Sequence, residues 1–439
     1  MVALVSPLWR WLVTDLCTES ITILDHLASD RNVTPKLNEP LEMTCTVPSD
    51  NSEVNRLHTD DFPFVAEGVR LLYGFRREYD TVEPFGSPPH GYYTIRASAL
   101  ILQTDDAAQA EDARTRITAK DAWGYLDYIP VYVAPTEGAY LVPRDGYTYP
   151  DDLTADEIAL QAFDYAYGFA AFGQYIPPNY SEYVQGPCGP ANLFTDFGQS
   201  GFYTGTIETC AIPPGFRVDP GTSLGELLRN LCTAGYMDIV FEPIYDPVNR
   251  PGYLNQISIY AQDPADPSSG AGVYNYSARF SWDKAGRTAM GADNLYDGTM
   301  RANWIQWFRG VAGPRVDPAV SAASIATYGE YWSMQHVPEE SLDNGVVQDM
   351  EAMQLYLRQN YRETLTMNPA PERAPEPFVD YELGDRVPVF ISDNMRQPLP
   401  PATDDTLVWQ RVYGIPIDID DNGTETIREL IVGPIGAPP

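Results

Sequence analysis

The stretch with the fullest chemical pattern lies near the C-terminus. Asp418-Ile-Asp-Asp-Asn-Gly-Thr-Glu-Thr-Ile-Arg-Glu429 fits Asp-x-Asp-x-Asn-Gly-x5-Glu, the spacing that wraps oxygens around calcium in EF-hands. An EF-hand loop joins two helices. Here Ile415-Pro-Ile-Asp-Ile419 alternates as a strand, and Asn422-Gly423 is a strong hairpin turn. The position that EF-hands fill with an aliphatic residue holds Glu425. A hairpin is expected rather than a metal loop. A second pattern, Gly221-Thr-Ser-Leu-Gly225, matches the Gly-x-Ser-x-Gly of hydrolase nucleophile elbows. That motif needs a buried strand before its turn, whereas Pro213-Pro-Gly and Asp219-Pro220 come first here. Ser223 has a simpler task as the N-cap of a helix, with Glu226 completing a capping box.

Other chemistry finds less footing. His26, His58, His90 and His336 include no pair at helical metal-ligand spacing. Cys17, Cys45, Cys188, Cys210 and Cys232 are odd in number and form no Cys-x-x-Cys, so reduced, mostly buried thiols are expected. No Gly-rich phosphate loop appears. Paired carboxylates for glycoside hydrolysis stay open, because 61 acids supply too many pairs to single one out. The reading is a non-enzyme without cofactor or metal. Against 28 bases those acids give a net charge of −33, which repels nucleic acid, anionic glycans and anionic membranes. The opening apolar residues are broken by Pro7, Arg10 and Asp15, so no membrane insertion is expected.

At 439 residues, with 44% hydrophobic residues, 39 prolines and 33 glycines, the chain reads as about three globular units of short strands and turns. Strands are expected at Trp9 to Asp15, Ile21 to Leu24 and Leu41 to Val47, with a loop between the last two. Leu41, Met43, Cys45 and Val47 alternate with Glu42, Thr44 and Thr46, which puts one face in the core and one in water. Val69 to Tyr73, Tyr92 to Leu102 and Thr115 to Asp121 follow as strands, the last two joined by a polar segment from Asp105 to Arg114. Ala122-Trp-Gly-Tyr-Leu126 reads as one helical turn. Thr154-Ala-Asp-Glu157 caps a helix ending near Phe172, and Ser223 caps another from Leu224 to Thr233. Between them runs a loop, Gly173 to Gly205, rich in aromatics, among them Tyr175, Tyr180, Tyr183, Phe194, Phe197, Phe202 and Tyr203. It is expected to contact a neighbouring subunit or to stack on sugar. Strands at Asp238 to Phe241 and Gln256 to Tyr260, a helix between Gly345 and Thr364, and an extended Pro369 to Pro377 linker come next. The C-terminal strands are Phe378 to Ile391, Leu407 to Ile419 and Thr424 to Val432.

Several stretches carry a resemblance. The strand ending in Val13-Thr-Asp15, the Asn38-Glu-Pro40 loop and Pro48-Ser-Asp50 look like the opening of minor tail proteins of long-tailed actinobacterial phages. Ile117-Thr-Ala-Lys-Asp-Ala-Trp-Gly-Tyr-Leu126, Pro243-Ile-Tyr-Asp-Pro-Val-Asn-Arg-Pro-Gly-Tyr253, Phe280-Ser-Trp-Asp-Lys-Ala-Gly-Arg287 and Tyr296-Asp-Gly-Thr-Met-Arg-Ala-Asn303 extend it. The resemblance implies a mainly β fold of tail-hub architecture, with two β-barrel tube domains and peripheral α/β modules. It implies a homotrimer that closes the tail tube at the virion's tail tip, assembled in the bacterial host cytoplasm. Its partners would be the distal tail protein, the tape measure and further minor tail proteins, with DNA passing unbound. The units expected are a barrel at 1–135, a helix and aromatic loop at 136–215, an α/β domain at 216–343, and helix, linker and barrel segment at 344–439. Many hubs carry a lysozyme-like or peptidase extension. With the last strand so close to Pro439, none is expected. A cell-wall glycan-binding module and a cell-wall hydrolase remain the alternatives.

One surface reading combines charge and register. If Asn422-Gly423 is a two-residue turn, Asp420 faces Glu425, and Asp418, Asp420, Glu425 and Glu429 share a face opposite Ile415, Ile417 and Ile419. Asp380 and Glu382 share a face of the Phe378 strand. In a hub these acids would line the bore and repel phosphate.

Overall fold

The structure, a computed structural model, describes residues 8–15, 21–25, 27–49, 70–77, 93–109, 112–133, 140–144, 146–167, 204–212, 216–246, 252–262, 269–282, 288–297, 301–309, 317–337, 348, 351, 352, 355, 358, 359, 362–371, 373–391 and 409–433. Alternation builds the first sheet from β1 (Trp9–Asp15), β2 (Ile21–Ile23), β3 (Ser29–Thr34), β4 (Glu42–Pro48), β5 (Arg70–Arg77), β6 (Tyr93–Gln109) and β7 (Asp112–Lys120). Leu41, Met43, Cys45 and Val47 are all buried, as their period of two requires. β3 falls in the stretch expected to be a loop. The polar segment after Asp105 is likewise strand, continuing β6 and β7 to the pair Gln109–Asp112. Cross-strand pairing there overrides an indifferent composition.

Asp121 follows β7 and accepts a hydrogen bond from the Gly124 amide at 3.4 Å, at the start of α1 (Ala122–Leu126). Trp123 of α1 packs edge-on to Phe241 within a second core. That core belongs to an α/β module. It contains β8 (Tyr132–Val133) with β9 (Tyr140–Leu141), β10 (Tyr147–Thr148), and α2 (Ala155–Tyr167). β11 (Thr204–Ile207), β12 (Arg217–Val218), which pairs with β10, and α3 (Leu224–Ala234) follow. β13 (Met237–Asp246) and β14 (Gly252–Ala261) complete it. The module lies on the outer face of the first sheet, where Leu12, Tyr73 and Leu100 meet it.

A second sheet starts with β15 (Phe280–Trp282) and β16 (Ala289–Asp297). The chain then leaves it for β17 (Trp304–Arg309), β18 (Ala319–Val320), α4 (Ala322–Tyr328) and β19 (Trp332–Val337). It returns through β20 (Arg362–Pro369), β21 (Arg386–Ile391), β22 (Trp409–Gly414) and, last, β25 (Leu430–Gly433). The order β15-β21-β22-β25-β20-β16 brings its edge strands together, and the Thr288 amide donates to the Ser281 carbonyl at 3.1 Å across that seam. This sheet is a nearly closed barrel. Between β22 and β25 the chain makes an excursion as β23 (Ile417–Ile419) and β24 (Glu425–Ile427), which join the first sheet. That sheet therefore runs β2-β1-β5-β6-β7-β4-β3-β23-β24, with C-terminal strands finishing an N-terminal barrel. The fold is mainly β with an α/β module, as expected. Strands from 344–439 thus take part in a sheet built mainly from 1–135.

Other expectations need correction. Described residues 348, 351, 352, 355 and 358 are helical, but β20 takes over from Arg362, where β-branched Thr364 and Thr366 pair into the sheet. Pro369 ends β20, and the Arg373 and Ala374 amides donate to the Ala370 carbonyl, so the proline stretch turns instead of running extended. Tyr175, Tyr180, Tyr183, Phe194, Phe197, Phe202 and Tyr203 lie outside the described residues.

One buried ion pair ties the units together. Asp238, at the start of β13, receives Arg411 of β22, and both are almost wholly buried. Asn38 of the first barrel donates to the same carboxylate at 2.9 Å, and the Ala271 amide does so at 2.8 Å. Arg411→Met leaves that carboxylate without its cation and is expected to cost about 3–5 kcal/mol, read as a lower denaturant midpoint. A second expectation concerns pH. Burial pushes the Asp121 carboxyl up to about 7, against the pull of nearby backbone amides. A raised carboxyl binds its proton more tightly folded than unfolded, so its contribution falls as pH rises from about 4 to about 7. Asp121→Asn keeps the cap acceptor, and its stability should gain on the wild type through that window and hold a constant difference above it.

Candidate functional site

The acidic C-terminal hairpin is the site the sequence singles out, and its turn decides its geometry. The Asp420 amide donates to the Thr424 carbonyl at 2.9 Å, and the Gly423 amide to the Asp420 carbonyl at 2.9 Å. Asp420 Oδ1 accepts from the amides of Asn422 at 2.9 Å and Thr424 at 2.8 Å. Gly423 takes φ +77°, a left-handed conformation that suits glycine. These bonds close a loop longer than two residues, so the pairs become Ile417–Ile427, Asp418–Thr426 and Ile419–Glu425. The register is one residue away from the expected one, and a one-residue slip exchanges the faces. Ile415, Ile417 and Ile419 are core as expected, but Glu425 turns inward with them.

Glu425 has a partner there. Arg76 of β5 is fully buried and donates to Glu425 through Nε at 3.0 Å and Nη2 at 2.7 Å. The indole of Trp9 donates to Glu425 Oε2 at 2.7 Å, while the Trp9 amide donates to the Gly423 carbonyl at 3.1 Å. Arg76 also binds Glu376 of the second barrel. Burial draws the Arg76 pKa down, and its two carboxylates more than offset this, leaving it raised. The far strand of the sheet is thus fastened to β1 and β5. Glu425 closes the first barrel.

The remaining acids divide. Asp418 faces outward, accepting from Asn32 Nδ2 at 2.9 Å and pairing with Arg428. Asp380 is in a turn rather than a strand, and its carboxylate accepts the Glu376 amide at 2.7 Å. Glu382 follows the same turn, exposed, with Arg96 at 3.1 Å. The strand expected from Phe378 begins at Arg386, because Phe378 takes φ +62° and a turn at 378–380 breaks the alternation. Glu429 and Asp420 are exposed. The structure therefore does not gather these six acids on one face. Arg76 and Trp9 are the residues that sequence reasoning missed. Their partner lies far off in the chain, and no local pattern announces it.

Ser223 does what its spacing suggested. Its hydroxyl accepts the Glu226 amide at 3.1 Å. Gly221 sits at φ +87°, a left-handed backbone that suits glycine, and a Cβ on Gly225 would meet Asp127 at 2.4 Å, so one glycine has a backbone reason and the other a packing reason. Among the described residues, no three His, Cys, Asp or Glu side chains gather as a metal site, and no helix is long and apolar enough to cross a membrane.

If Glu425 closes the barrel, Glu425→Gln should lower stability by about 3–5 kcal/mol by leaving Arg76 under-compensated. Glu429→Gln should stay within about 0.5 kcal/mol. Equal denaturant midpoints for the two variants would contradict this assignment.

No protein-family model matches the chain, and no curated protein matches it. Solved structures do. The tail protein from Neisseria meningitidis is 10% identical, with 98% of this chain and 97% of that one covered and a TM-score of 0.49. The prophage tail protein gp18 from Listeria monocytogenes is 12% identical over 97% and 94%, with a TM-score of 0.46. The 43 kDa tail protein of prophage MuSo2 from Shewanella oneidensis is 10% identical over 97% and 98%, with a TM-score of 0.47.

Proposed function

We propose that the chain is a structural, non-catalytic protein of a phage tail tip. Three copies form the hub that closes the tail tube, docks the distal tail protein, tape measure and further minor tail proteins, and opens for DNA. The observation that carries this reading is the hairpin excursion. β23 and β24 leave the second barrel, complete the first, and are fastened there by Glu425, Trp9 and Arg76. Two barrels fastened in this way move as one piece, which a tube wall of stacked rings requires. The sequence resemblance at residues 9–55, 115–133, 222–303 and 369–432 supports the same reading. Ser223, spent on a helix cap, supports it against a hydrolase.

Within such a hub we assign the DNA path to the exposed acids among the six: Asp420, Glu382 and Glu429. They repel phosphate and let DNA pass without sticking. Asp418, Glu425 and Asp380 are only part-exposed and are left out of that role.

Sedimentation and low-resolution imaging test the hub. A ring-shaped trimer is expected in assembled particles, and a monomer there would refute it. For the isolated chain, −33 opposes self-association, so trimers should form better at high salt or with partners. Glu382→Lys with Glu429→Lys should leave assembly intact and slow DNA release, and unchanged release would remove these acids from the path.

A further inference from the structure

The chain leaves the second barrel between β16 and β20, adjacent strands that pair from Asp297–Arg362 onward. The excursion forms a small sheet of its own, β18-β17-β19, with α4 beside it. A polar frame holds it. The Asn303 side chain donates to the Gly329 carbonyl at 2.7 Å and Ser324 Oγ at 3.2 Å, and accepts the Tyr331 amide at 2.8 Å. Ser321 Oγ donates to Gln359 at 2.8 Å. A frame of this kind fixes the side chains it carries before any ligand arrives.

Two features of that surface stand out among the described residues. The first is Arg301. Its guanidinium lies between the rings of Tyr328, at 4.6 Å, and Tyr331, at 4.2 Å. No described residue gives it a hydrogen bond or an ion pair, and its Nε is buried unbonded. In a chain with 61 acids to 28 bases, a cation held between two rings with no carboxylate among the described residues is unexpected. The second is apolar exposure. Of ten exposed large hydrophobic side chains among the described residues, four are in this module: Val320, Tyr331, Trp332 and Met334. Val320, Trp304 and Trp332 form a row by strand register, and the two indoles stack at 4.1 Å and 20°. Trp332 is still 48% exposed on that support.

We propose that Arg301, with Tyr328, Tyr331 and the Trp332 row, is the docking point of a protein partner that presents a carboxylate beside an apolar side chain. β19 is the edge of its sheet, so a partner lying along it reaches both Tyr331 and Trp332. Arginine, tyrosine, tryptophan and methionine are the residues enriched at interface cores and among binding hot spots. The planar guanidinium fork matches a carboxylate with two parallel bonds. The field of a −33 chain opposes polyanions such as nucleic acid or an anionic glycan far more than a single carboxylate on an otherwise apolar face. The inference deepens the tail-tip reading by placing one partner surface, and rests on that reading only for the partner being another tail protein.

Titration of the full isolated chain, followed by tryptophan fluorescence, tests this without any particle. The probes are an acetylated, amidated peptide with one glutamate between two leucines, its glutamine counterpart, and inorganic phosphate. The glutamate peptide is expected to bind about tenfold more tightly than either other probe, a difference typical of one charge-assisted contact. Arg301→Gln should remove that preference, and Arg301→Lys most of it, with melting temperatures unchanged. Trp332→Ala should weaken both peptides alike. No binding of the glutamate peptide, equal binding of the glutamine peptide, tighter binding of phosphate, or binding indifferent to Arg301→Gln would each overturn the proposal. A negative result here, with trimeric rings still seen in particles, would leave the tail-tip reading standing.

Discussion

Everything in this molecule turns about the carboxylate of Asp238. A charge moved out of water is costly unless every lone pair finds a donor, and here the donors come from separate parts of the chain. Arg411 reaches it from the second barrel, Asn38 from a loop of the first, Gln262 from the end of β14, and the Ala271 amide from the segment entering β15. Arg411 in turn donates to the carbonyls of Gly384 at 3.2 Å and Ala271 at 2.9 Å. Apolar packing alone would let the units slide over one another, because hydrophobic contact has no direction. A carboxylate with fixed donors does not. It sets the angle at which barrel, barrel and module meet.

Part of this was legible in the sequence. Leu41 to Val47 announce a half-buried strand because period two leaves few other options, and Ser223 with Glu226 announces a helix start by local hydrogen bonding alone. What could not be read was long-range. Nothing near Glu425 says that its counter-ion is Arg76, and the Asn422-Gly423 pair says "hairpin" without saying that Asp420 will lengthen the turn. That single residue of register exchanged the two faces of the strand and dispersed a stripe of acids. The helix expected between Gly345 and Thr364 overran in the opposite way, since from Arg362 onward the apolar residues Leu365 and Met367 are two apart and β16 and β25 claim them. The return of β23 and β24 to the first sheet was hidden for the same reason: no local signal marks a chain that revisits an earlier sheet.

The excursion also has a temporal consequence. β3 is completed by β23, and the bond from Asn32 to Asp418 spans 386 residues of sequence. During synthesis the first barrel therefore emerges with the edge of β3 unpaired, and it waits for almost the whole remaining chain. An unpaired edge is a template for aggregation, and closure over such a separation is slow. The polar side chains on that edge, Asp30, Asn32 and Thr34, are suited to the wait. The last strands to be made thus decide when the first ones are safe.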